Sequence, residues 1–111
     1  MNIYRQYSDS EGQSHFEKVT PEALEPFRQW IDAKAFKFNI FPPGTFIDWH
    51  PSEGKLLIAT ISGKLKITVT DGTSVICEKG DLRIVTDTVG KGHTAEVIGE
   101  EPSVGLLINI K

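Results

Sequence analysis

A chain of 111 residues has room for one hydrophobic core, so a single domain spanning 1–111 is expected. Hydrophobic residues at 39%, charged residues at 24% and no low-complexity tract exclude a disordered or fibrous chain. A net charge of -3, with no Lys/Arg cluster among aromatics, argues against nucleic acid as a partner, and no apolar run approaches the ~20 residues of a membrane-spanning helix.

The start, Met1-Asn2-Ile3-Tyr4-Arg5, lacks the apolar core of a signal peptide, and a cytoplasmic location is expected. His15 lies in a polar stretch and reads as a surface residue. Phe16 to Val19 suggests a short strand. Thr20-Pro21-Glu22 then offers an N-cap, a proline at the first helical position and an acid in the first turn. The predicted helix places Leu24, Phe27, Trp30 and Ile31 on one face, limited by Pro26, and is expected to pack on an end or edge of the β-rich remainder of the chain.

From residue 33 onward, short β-like runs alternate with Gly, Pro and Asp turns, the pattern of an all-β sandwich or barrel. Ala35 to Phe41 is stopped by Pro42-Pro43-Gly44. Strict alternation in the next strand puts Phe46, Asp48 and His50 on one face, with Ile47 and Trp49 on the other. Trp49 therefore reads as core or interface. Leu56 to Ile61 is an apolar run suited to a strand buried on both faces, ending at Ser62-Gly63. Lys64 to Thr70 alternates cleanly, with Leu65, Ile67 and Val69 inside, and Asp71-Gly72 marks a tight hairpin into Thr73 to Glu78. Cys77, the only cysteine, excludes an intrachain disulfide and reads as a buried inert thiol. Lys79-Gly80-Asp81 turns into Leu82 to Thr86; His93 to Ile98 and Val104 to Ile110 complete the set.

Gly44, His50 and Gly63 stand at the spacing of the first of two motifs that define the cupin superfamily, and Gly80, Gly90 and His93 resemble parts of the second. The resemblance covers about residues 35–110 and implies an all-β, cupin-type double-stranded β-helix, or jelly-roll barrel, with a short N-terminal helical segment. Phe46-Ile47-Asp48-Trp49-His50-Pro51 with Gly92-His93-Thr94 is similar to a group of small bacterial cupins. The departures are as informative. Ser52 holds the position of the second motif histidine, Leu56 or Leu57 that of the glutamate, Thr88 replaces the proline and Val97 the asparagine.

Cupin metal centres combine three imidazoles with a carboxylate, and two of those positions remain, His50 and His93. With Asp48 two residues before His50 on the expected face, they compose a two-His-one-carboxylate set for one divalent ion: iron, manganese, nickel or zinc. The other reading makes His50 and His93 hydrogen-bonded pocket residues without metal. Under both, a pocket for a small organic molecule is expected, with Phe46, Ser52 and Leu56 on its walls and Asp87 at its rim as an acid or a turn residue. Three functions are thus open: a metal-dependent enzyme of dioxygenase, isomerase or lyase type, as the resemblance implies; a non-catalytic binding or sensor domain; or a homodimer module whose pocket is vestigial. A homodimer is expected from free sheet edges, the apolar strand Val104 to Ile110 and the resemblance.

Overall fold

The computed structural model describes residues 1–111. Ten strands form it: β1 (Ile3–Ser8), β2 (Ser14–Val19), β3 (Ala33–Phe41), β4 (Phe46–His50), β5 (Leu56–Ser62), β6 (Lys64–Val69), β7 (Ser74–Cys77), β8 (Leu82–Thr86), β9 (His93–Ile98) and β10 (Ser103–Ile110). They make a six-stranded sheet, β2-β1-β8-β5-β10-β3, and a four-stranded sheet, β4-β9-β6-β7. Only the β1–β8 pair is parallel. No helix is long and apolar enough to cross a membrane.

The period-two pattern of Lys64–Val69 positions the core as expected: Ile67 and Val69 are buried. Across a central cavity, Ile58, Val85 and Leu107 of one sheet face Leu65, Ile67 and Ala95 of the other. Cys77 is buried, and burial pushes its thiol pKa up, which keeps it protonated and unreactive.

The barrel does not begin at residue 35. β1 has no strand signal in the sequence, because Tyr-Arg-Gln-Tyr carries no apolar alternation, yet it lies between β2 and β8 and extends the larger sheet. The expected helix is a 3₁₀ segment, Pro21–Phe27, with no buried residue. At three residues per turn, and with Pro26 inside it, the 3.6-residue apolar stripe is lost, and Trp30 is left fully exposed.

His15 is half-buried rather than a free surface residue. Its Nε2 lies 2.7 Å from Asp9 and its Nδ1 2.8 Å from Asp71, which ties the β1–β2 turn to the β6–β7 turn. The bonds to Asp9 and then Asp71 raise its pKa above 6.5. Its contribution to stability is therefore fully present below pH 6.5 and is lost as pH rises through the raised value.

The free edges also differ from expectation. β10 is hydrogen-bonded on both sides, to β5 and to β3, so it offers no edge. The open edge beside it belongs to β3, whose nine residues expose Phe36, Phe38 and Ile40.

Candidate functional site

β4 and β9 pair as neighbours in the smaller sheet, Ile47 opposite Ala95 and His50 opposite His93. Three steps on β4 thus match two on β9. This bulge is the physical reason that strict alternation fails: one extra residue shifts the parity, and Ile47 and His50 both turn inward. Asp48 is exposed and does not share the His50 face; its carboxylate accepts the Trp49 backbone N–H instead. Phe46 is 58% exposed and lies outside the cavity. Ser52 and Leu56 do line it.

The cavity has a volume of about 610 Å³ and lies between the two sheets. The imidazoles of His50 and His93 stand there with ring centroids 4.4 Å apart. The His50 Nδ1–H donates to the Asp48 backbone carbonyl at 2.8 Å, not to the Asp48 carboxylate or to Ser52. The His93 Nδ1–H donates to Asp87 Oδ2 at 2.7 Å. Both rings are fixed by one nitrogen, and both keep Nε2 without a protein partner.

Asp87 is not at the rim. It is fully buried behind His93, where Oδ2 also accepts from Gln6 Nε2 at 3.0 Å. Gln6 in turn accepts, through Oε1, from Nη1 of Arg83 at 2.9 Å. The chain His93–Asp87–Gln6–Arg83 therefore links both sheets through buried polar groups. Two atoms in it lack a partner, Asp87 Oδ1 and Arg83 Nε. Burial pushes the His93 pKa below 6.5, against the opposing pull of Asp87, so near neutrality the ring is an uncharged donor at Nδ1 and an acceptor at Nε2. Burial also lowers the Arg83 pKa, although a guanidinium remains charged.

Sequence reasoning does not find Gln6 and Arg83. For Arg83 a signal exists: a single charge in Leu82-Arg83-Ile84-Val85 shares its strand face with Val85, which is inward. Gln6 carries none, because β1 itself has no strand pattern.

The donor set does not fit a resident metal ion of the cupin kind. No group of three or more His, Cys, Asp or Glu side chains converges anywhere in the protein, whereas a catalytic site uses about three protein ligands. Asp48 is turned away by the bulge, Leu56 has no donor atom, and Asp87 is engaged by His93 and Gln6.

No family model and no curated protein matches the chain. Solved structures do. A DUF861 family protein from Thermotoga maritima is 27% identical, covers 86% of this chain and 96% of its own, and superposes with a TM-score of 0.51. A predicted oxalate decarboxylase from the same organism is 22% identical over 99% of this chain and 94% of its own, at a TM-score of 0.55. A cupin domain from Bordetella pertussis is 24% identical over 73% of this chain and 86% of its own, at 0.54. The two-sheet architecture is the double-stranded β-helix, and the chain has the cupin-type fold.

Proposed function

We propose that the protein binds a small organic molecule in the barrel cavity and receives it at His50 and His93, without a resident metal ion. The carrying observation is that each imidazole spends its Nδ1–H on a fixed acceptor, which leaves two Nε2 lone pairs side by side in an otherwise largely apolar cavity. Such a pair accepts hydrogen bonds from a hydroxyl or amine of the ligand. His93, kept uncharged by burial and oriented by Asp87, is also suited to take a proton there.

Elemental analysis of untagged protein, with the His50→Ala, His93→Ala double variant beside it, tests the metal-free part. No metal specific to the wild type is expected; near-stoichiometric iron, manganese, nickel or zinc that disappears in the double variant overturns it. A thermal-shift screen of small hydroxylated and aminated metabolites tests the pocket. A ligand at ~100 times its Kd adds about 2.7 kcal/mol of stability to the wild type. Ligands that stabilise the double variant equally place binding elsewhere.

We further propose that a second copy of the chain covers the exposed apolar edge of β3, Phe36, Phe38 and Ile40, since an open apolar edge is normally paired or hidden. Light scattering of the wild type is expected to give a dimer, and Phe38→Asp to give a folded monomer. A monomeric wild type at micromolar concentration removes this proposal.

A further inference from the structure

The cavity continues into a small recess of about 30 Å³ that shares Arg83, Asn39, Ile58 and Leu65 with it and adds the side chains of Thr60 and Ser103. Arg83 is 6% exposed, Thr60 7% and Ser103 4%. Neither hydroxyl has a protein hydrogen-bond partner, and of the five N–H donors of the guanidinium only one, on Nη1, is engaged, by the neutral amide of Gln6. Nε is buried with nothing to donate to.

A guanidinium placed for structure alone is normally answered by a carboxylate, because burying an unpaired charge costs several kcal/mol. Of the two buried carboxylates, Asp81 is taken up by the backbone N–H groups of Asn2 and Glu78, and Asp87 is held off by Gln6, which bonds Asp87 through its amide nitrogen and Arg83 through its amide oxygen. The other charged residues lining the cavity, Lys37 and Glu53, are exposed to water. The recess therefore holds one desolvated positive charge, two free hydroxyls and the Asn39 amide, and no negative group bonds the cation.

We infer that the ligand is a small organic monocarboxylate whose anionic end enters the recess and is bound by Arg83 with Thr60 and Ser103, while its other, hydroxyl- or amine-bearing end meets Nε2 of His50 and His93. A planar carboxylate matches the guanidinium fork and cancels a single charge. A phosphate dianion leaves an excess negative charge in an apolar cavity. The stretch between the two polar ends is walled by Ile58, Leu65 and Leu107, which suits a short hydrocarbon segment. This inference rests on the proposed binding pocket and adds the class of its ligand.

Hexanoate, its terminally hydroxylated analogue, the neutral isostere hexanamide and inorganic phosphate are titrated against the wild type and against a Thr60→Val, Ser103→Ala variant, which removes both hydroxyls at nearly constant volume. The wild type is expected to bind the carboxylates at least about tenfold more tightly than the amide, as a charge-assisted bond predicts, and the variant, which keeps Arg83, to bind both more weakly while retaining most of that preference. Arg83→Lys keeps the charge but loses the fork, and is expected to weaken the carboxylates and leave the amide unchanged. In the wild type itself, the ¹⁵N resonance of Arg83 Nε is expected to move with hexanoate and to stay with hexanamide, a readout that needs no folded variant. Equal binding of carboxylate and amide, phosphate binding as well as hexanoate, or an unmoved Arg83 resonance overturns the inference. A hydroxylated amide that still binds in a His50- and His93-dependent way then leaves the pocket reading standing by itself.

Discussion

Asp87→Ala is expected to destabilise the protein by about 3–4 kcal/mol, because it strands two buried donors at about 1–3 kcal/mol each. His93 Nδ1–H and Gln6 Nε2 both donate to Oδ2, and nothing else within reach accepts from either. The substitution also frees Gln6 to turn away from Arg83, so the loss reaches across the barrel. Asp87→Asn is expected to cost about half as much, since its amide oxygen still accepts one of the two bonds. Urea unfolding at constant pH measures both, and the ¹⁵N shifts of the His93 ring report whether Nδ1 keeps its proton. A cost below ~1 kcal/mol for the alanine variant contradicts the view that this carboxylate orients the ring.

The pH dependence of the same site has a definite sign. His93 has a folded-state pKa below its ordinary 6.5, so the unfolded chain takes up a proton first as the solution is acidified. The stability owed to the uncharged ring is present above pH 6.5 and is lost as pH falls through the folded value. Asp87 opposes the effect of burial on this pKa, so removing it moves the folded value further down and widens the window of acid loss in the variant.

The legible part of the molecule is the part with strong local periodicity. β5 follows from its apolar run, and β6 to β10 from apolar alternation and the turns between them, Asp71-Gly72 among them, because a half-buried strand writes its burial into every second residue. His50 and His93 come together as cross-strand neighbours on the β4–β9 pair, a pairing that local pattern does not specify. The expectations that fail depend on events that local pattern does not encode. One extra residue between Ile47 and His50 reverses the facing of Asp48 and Phe46, and a bulge has no fixed residue signature when none of its members is glycine. The role of Asp87 depends on β1, 81 positions away through Gln6, so a loop residue in sequence is a fully buried acid in the structure. Exposed β3 reads as an ordinary apolar strand, since a face meant for a partner and a face meant for the core carry the same residues.

The arrangement of the two imidazoles also depends on a residue with no side chain. Gly92 has φ +75, and a Cβ there runs into the backbone carbonyl oxygen of His50 and comes within 2.5 Å of the Pro51 Cα. These are backbone atoms at the end of β4, and no rotamer change clears them. Gly92→Ala is therefore expected to cost the ~1 kcal/mol of an unfavourable backbone conformation and a further 2–3 kcal/mol or more for parting β4 from β9. The natural control is Gly72→Ala in the β6–β7 turn, where φ is +90 but nothing lies within 4 Å of the added carbon. It is expected to cost only the conformational part. Parallel urea titrations separate the two contributions, and contacts between the His50 and His93 rings in NMR spectra report the site directly: retained in Gly72→Ala, weakened or lost in Gly92→Ala. Equal destabilisation by the two variants shows that β4 yields easily, and the close pairing of His50 and His93 is then a soft feature of the barrel rather than one held by the approach of its backbone.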